Sequence, residues 1–287
     1  MGAAFLLTAR IALPAAPVCG DVDDSGSVTT SDALSVLKKA VGQSVALLCS
    51  FFGQPLRTGQ TTSFGAGDDG DLQTGLPFAV TDNADGTVTD KNTGLMWEKK
   101  IGFVTLPPVQ CAVEAGNSCA NPHDPRNQYS WSSGPTAFDG SAHSVFLNQL
   151  NNRCDRNTIL SCTKDLDCRL VGGRCGFAGH RDWRLPNIRE LLTIVDYSRS
   201  DPGPGPAVAG AFDSGDNCSL VCTESCSIVC TDISDPTCSC DASSGYWSTT
   251  TTRNGSSRAW GVYTDNGRTY YDYKIAFHST RAVRTGS

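Results

Sequence analysis

Fourteen cysteines in 287 residues constrain this chain more than any other feature. Cytosolic thiols stay reduced and rarely accumulate without a metal, so the count points to an oxidising, extracytoplasmic compartment. The cysteines fall into groups of even size: Cys19 and Cys49; Cys111 and Cys119; Cys154, Cys162, Cys168 and Cys175; then Cys218, Cys222, Cys226, Cys230, Cys238 and Cys240. Even groups are what complete local pairing produces. The rival is zinc, and Cys218-x3-Cys222 with Cys226-x3-Cys230 can be fitted to its paired-ligand spacing. Only four His accompany them, and the groups lie in loops, so disulfides are the expected state. Connectivity within the last six is not readable from sequence.

Length leaves room for one large domain and a small module. Hydrophobic residues are 39% and charged residues 18%, enough apolar content for a core. A net charge of −6 argues against nucleic acid as a partner, because phosphate binding needs clustered cations. No stretch approaches the roughly 18 apolar residues of a membrane span. Ala3–Ala9 and Ile11–Leu13, ending in Pro14-Ala-Ala-Pro17, look like the remnant of a signal peptide over residues 1–16, with Arg10 interrupting it. The expected location is secreted or cell-surface.

Residues 17–50 contain a candidate Ca2+ loop. Calcium takes six to eight oxygen ligands, and a loop that wraps it turns alternate side chains inward. Counting Asp21 as the first position, donors follow at Asp23, Ser25, Thr29 and Asp32, the Ser27 carbonyl fills the seventh position, and Gly26 allows the sharp turn. A helix is predicted from Asp32, with Ala33, Leu34, Leu37, Ala40 and Val41 on one face, Thr30 or Ser31 as its cap and Gly42 as its stop. The blander reading, a polar turn capping a helix, leaves the alternating oxygens unexplained. With Asp rather than Glu at the twelfth position, the unit resembles one repeat of a type I dockerin. Ser25 departs from the usual Asp or Asn, and a second repeat, which dockerins use for docking, is missing. Residues 51–75 read as a glycine-rich linker.

The main domain, residues 76–287, opens with Phe78–Thr81, Thr87–Thr89 and Leu95–Trp97, separated by Asp82-Asn-Ala-Asp-Gly86 and Lys91-Asn-Thr-Gly94. Those spacers are turn chemistry, so a β-meander is expected. Ser141–Asn151 has helical spacing through Ala142, Val145, Phe146, Leu147 and Leu150; a second helix carries Ile188, Leu191, Leu192 and Val195, with Pro186 in its first turn. Long loops at 105–130, 154–176 and 200–243 hold the cysteines. Ala259–Tyr263 and Thr269–Tyr273 flank Thr264-Asp-Asn-Gly-Arg268, which predicts a hairpin. Trp97, Trp183, Trp247 and Trp260 are expected in the core, and Trp131 is the better candidate for exposure.

Three blocks occur in a fixed order: Asp82 to Glu98 ending in Leu-Met-Trp-Glu, Gly179-His-Arg-Asp-Trp-Arg-Leu-Pro-Asn to Ser198, and Gly245-Tyr-Trp-Ser-Thr-Thr closing with Arg281-Ala-Val-Arg284. Over about residues 64–286 these resemble the family named after the C-terminal domain of the Lcl collagen-like adhesin. The resemblance implies an α+β, C-type-lectin-like domain with long disulfide-rich loops, used for extracellular binding. The expected function is therefore non-catalytic recognition of a glycan or a cell-surface protein. Tyr, Asn, Asp and Arg enrichment in the last fifty residues matches paratope chemistry and nominates Arg253, Asn254, Tyr263, Asp265, Asn266, Arg268, Tyr270 and Tyr271; an ordinary solvated sheet face is the alternative. Two other functions compete: a dockerin-like surface-assembly component, and a formylglycine-generating-type oxidase or hydrolase. His123, His143, His180 and His278 share no spacing, and no nucleophile or phosphate-loop motif is present.

Overall fold

The computed structural model describes residues 29–41, 55–102, 106–112, 119–199, 206–213 and 230–286. It divides into two units, Met1–Pro55 and Leu56–Ser287. In the first, helix α1 (Thr30–Ala40) is described. The Thr29 hydroxyl accepts the amide of Ser31 at 3.2 Å. The cap is thus Thr29, one residue ahead of the expected Thr30 or Ser31, which lie inside the helix. Of the apolar stripe, Leu34, Leu37 and Val41 are exposed.

Residues 56–75, expected as a linker, belong to the second unit. Leu56 bridges Leu76, the Thr58 carbonyl accepts the amide of Tyr197 at 2.7 Å, and Asp69–Leu72 forms a short helix, α2. The meander follows as β1 (Val80–Asp82), β2 (Thr87–Asp90) and β3 (Leu95–Glu98). Asp and Asn side chains close its turns: Asp82 Oδ1 accepts the amide of Ala84, and Asp85 Oδ1 that of Thr87. Gly86 turns there at φ +92°, which a side chain would strain.

The remaining strands are β4 (Val109–Cys111), β5 (Asn127–Ser130), β6 (Arg153–Cys154), β7 (Asn157–Ser161), β8 (Gly245–Thr252), β9 (Gly255–Tyr263), β10 (Thr269–Tyr273), β11 (Phe277–Ser279) and β12 (Val283–Thr285). One sheet runs β1-β2-β3-β12, a second runs β10-β9-β8-β11-β5-β4, and β6 pairs with β7. The last strand thereby returns to the opening meander, with Val283 opposite Trp97.

The first expected helix is present, but its opening is wider than α. Ala142–Leu147 is π-helical and runs into α3 (Asn148–Asn152). Ala142, Phe146, Leu147 and Leu150 are buried as its periodicity demands. The second is α4 (Ile188–Leu192), held by a reciprocal cap in which Asn187 accepts the amides of Arg189 and Glu190. Pro186 therefore precedes the cap rather than sitting in the first turn. The result is mixed sheet with little helix.

Two apolar clusters share the core. One joins Tyr129, Trp131, Phe146, Trp183 and Trp247; the other joins Trp97, Leu191, Phe212, Tyr246 and Val283. Trp97, Trp183 and Trp247 are buried as expected. The other two tryptophans exchange places. Trp131 is 5% exposed, its indole N–H donating to the Ser248 carbonyl at 2.9 Å. Trp260 is only half-buried and belongs to neither cluster.

Cysteines pair locally: Cys111 with Cys119, Cys154 with Cys168, Cys162 with Cys175, and Cys230 with Cys238. Cys240 is also disulfide-bonded. Cys19, Cys49, Cys218, Cys222 and Cys226 lie outside the described residues. Among the described residues, only Cys154, Cys162 and Cys168 converge as a metal-ligating group would, and all three sulfurs are in disulfides.

Candidate functional site

The terminal hairpin builds two surfaces, because alternate residues of a strand face opposite ways. Strands β9 and β10 pair with Trp260 opposite Tyr271 and Arg258 opposite Tyr273. These four side chains share the outer face. Trp260 meets Tyr271 edge-on at 5.4 Å between ring centroids. The Arg258 guanidinium lies 4.4 Å above Tyr273 and 5.5 Å above Tyr271, and donates to the Tyr273 hydroxyl at 2.8 Å. Beside this ladder lies a groove of ≈ 520 Å³ whose rim includes Arg253, Asn254 and Ser257. Among the described residues, no carboxylate lines it.

The inner face carries Gly261, Tyr263, Tyr270 and Asp272. Gly261 is required there: a Cβ would stand 2.4 Å from the Tyr246 carbonyl and 2.6 Å from the Tyr270 ring. Tyr270 packs on Tyr263 at 4.3 Å and on His278 at 5.0 Å, and Asp272 Oδ2 lies 3.0 Å from His278 Nε2. Burial lowers the His278 pKa against the opposing pull of Asp272. Tyr263, Asp265 and His278 line a second cavity of ≈ 590 Å³.

The eight nominated residues are thus split. Arg253, Asn254 and Tyr271 meet at the outer groove; Tyr263 and Asp265 line the inner cavity, with Tyr270 packed against Tyr263. Asn266 and Arg268 shape the turn between them. Asn266 Oδ1 accepts the amide of Arg268 at 3.0 Å, and the Arg268 guanidinium lies 4.7 Å above the Tyr263 ring. Sequence reading missed Arg258, Trp260 and Tyr273. The signal was available, since Arg258/Trp260 and Tyr271/Tyr273 are each two apart on facing strands. Of the calcium candidates, Asp21, Asp23, Ser25 and Ser27 lie outside the described residues. Thr29 caps α1, and Asp32 falls in its first turn.

Glu98, Tyr246 and Arg281 of the signature blocks join Lys100, His123 and Asp241 in a buried ionic network. Glu98 Oε1 takes the Lys100 ammonium and the His123 Nδ1, each at 2.8 Å, while Oε2 accepts the amide of Ala282 at 3.0 Å. Burial would raise the Glu98 carboxyl, yet Lys100 and His123 outweigh it and hold the pKa below the ordinary range. Burial depresses the Lys100 and His123 pKa values. Arg281, 1% exposed, donates to the Glu98 carbonyl and to Asp241 Oδ1, each at 2.8 Å. Tyr246 donates to the same Asp241 oxygen. Burial raises the Asp241 pKa, and Arg281 opposes that rise. The Glu98 and Arg281 groups tie the opening meander to the chain's end.

These blocks match a family model. The Lcl C-terminal domain model covers residues 86–284, and the chain belongs to that family. No curated protein and no solved structure matches the chain. Among the described residues, no helix is long and apolar enough to cross a membrane.

Proposed function

We propose that this chain is an extracellular, non-catalytic recognition protein that binds a glycan or protein surface through the outer face of hairpin β9–β10. In this reading the second unit is a C-type-lectin-like domain, and calcium on the Asp21–Asp32 loop has a structural role. One observation carries the proposal: the register-paired ladder of Arg258, Trp260, Tyr271 and Tyr273 beside an open groove that no carboxylate among the described residues lines. Rigid Trp and Tyr rings supply contact area at little entropic cost, and aromatic faces suit the C–H surfaces of sugars. Disulfide pairing in the loops agrees with an extracellular location.

The test is a glycan-array screen of the oxidised chain, with calcium and with chelator, repeated for Trp260→Ala and Tyr271→Ala. Retention in chelator with loss in both variants supports the groove and a structural role for calcium. Glycan binding unaffected by both variants sinks the groove as the site. No glycan binding at all moves the proposal to a protein partner.

A second reading, dockerin-like surface assembly, draws support from the exposed Leu34 and Leu37 of α1 and Val41 just after it. Calcium-dependent capture of a scaffold protein that Leu37→Ser abolishes would favour it. The formylglycine-generating-type oxidase or hydrolase reading draws no support from the described cysteines, each of which is disulfide-bonded.

A further inference from the structure

A second surface lies away from the hairpin, on the stapled loop that contains β6 and β7. Two disulfides, Cys154–Cys168 and Cys162–Cys175, form its interior with Val171 partly buried against them. Its outside is unusual. Leu170 is 98% exposed, Ile159 84% and Leu166 61%. The 3-10 turn Asp165–Val171, which carries both leucines, packs beside β7, which carries Ile159.

Charge separates this loop from the rest of the chain. Residues 153–176 hold five Arg or Lys against three Asp, a net +2 within a chain of net −6. The three acids are turned onto backbone: Asp155 accepts the amide of Arg174 at 2.8 Å, Asp165 that of Cys175 at 3.0 Å, and Asp167 that of Thr163 at 2.7 Å. Arg156, Lys164, Arg169 and Arg174 are exposed. Exposed aliphatic tips and exposed long cationic side chains therefore share one stapled loop.

We propose that this stapled loop docks peripherally on an anionic lipid surface. Leu166, Leu170 and Ile159 enter the boundary between headgroups and acyl chains, while Lys164 and its neighbouring arginines meet lipid phosphates and carboxylates. Aliphatic tips together with cations are the chemistry of interfacial binding, and arginine and lysine stems keep their heads in water while their methylenes lie on apolar material. Protein-docking hot spots are richest in Trp, Tyr and Arg; residues 153–176 contain no aromatic side chain, so of these three only arginine is present. The disulfides hold the tips in place before contact, which lowers the ordering cost of binding. This inference is independent of the groove.

Vesicle co-sedimentation of the oxidised full-length chain tests it, using phosphatidylcholine alone and phosphatidylcholine with phosphatidylserine. Binding is expected only with phosphatidylserine, and it weakens as salt rises. The double variant Leu166→Ser/Leu170→Ser weakens it at least about tenfold, as does Lys164→Glu/Arg169→Glu. Near-UV circular dichroism checks that both variants keep the native fold. Absence of binding to phosphatidylserine vesicles overturns the proposal, as does binding that either double variant leaves intact. Loss of a captured protein partner in these variants, without any vesicle binding, would make the loop a protein-docking surface instead.

Discussion

Arg281 and Arg258 make the same kind of contact and serve opposite ends. Each guanidinium lies over two rings, Arg281 over Phe212 and Tyr246 at 5.3 and 6.0 Å, Arg258 over Tyr273 and Tyr271 at 4.4 and 5.5 Å. Arg281 is sealed in the core with Asp241 as its carboxylate partner. Arg258 sits at the surface, beside a groove that no carboxylate among the described residues lines. Burial makes the difference. A sealed charge must keep its partner or destabilise the fold by several kcal/mol, whereas a solvated charge over a ring gains only about 0.5–1 kcal/mol. The first arrangement braces the fold, and the second leaves its binding capacity unspent.

The largest expected effect strikes the brace. Arg281→Met leaves Asp241 buried without its cation and should lower stability by about 3–5 kcal/mol, read by denaturant unfolding of the oxidised chain. A loss under about 1 kcal/mol would remove the contrast between the two arginines. Trp131→Ala should cost nearly as much, about 3–5 kcal/mol for a buried aromatic, while Trp260→Ala should change stability by less than about 1 kcal/mol. Equal thermal shifts in these two variants would mean that Trp260 is core after all. On the binding side, Trp260→Ala or Arg258→Ala should weaken a ligand of the groove about 10–30-fold, or roughly 2 kcal/mol, measured by titration calorimetry.

The smallest effect concerns pH. Burial holds the folded-state pKa of His123 below its ordinary 6.5, so native His123 resists a proton that the unfolded chain accepts. Its contribution to stability is full above 6.5 and is lost as pH falls through the depressed folded value. Glu98, also depressed, adds loss in the same direction below its ordinary 4.5. His123→Gln should flatten the slope just below pH 6.5 by up to about 1.4 kcal/mol per pH unit. His278 and His180 titrate in the same sense, so some slope remains. An unchanged slope would exclude His123 from the brace.

Legibility followed the range of the forces involved. The meander was readable because Asp82, Asp85 and Gly86 close their turn within a few residues. The helix through Phe146 and Leu150 was readable because its stripe repeats locally, although its π opening was not. The groove was half-readable. Composition singles out Arg253, Asn254 and Tyr271, but the size of Trp260 points to the core. Trp131 was misread for the opposite reason: a neighbouring run of Ser resembles a surface loop, yet its indole reaches the Ser248 carbonyl, 117 residues on.

From the sequence alone came local pairing of the described cysteines, the turns of both hairpins and membership signals for the family. Those properties rest on covalent chemistry and on backbone preferences acting over a few residues. Tertiary structure alone decided which tryptophan is buried, which face of the hairpin opens to solvent, and that Arg281 meets the Glu98 carbonyl 183 residues away. Each depends on what packs against a side chain from elsewhere in the chain. A residue's burial is a property of its neighbours in space, and local spacing does not record them.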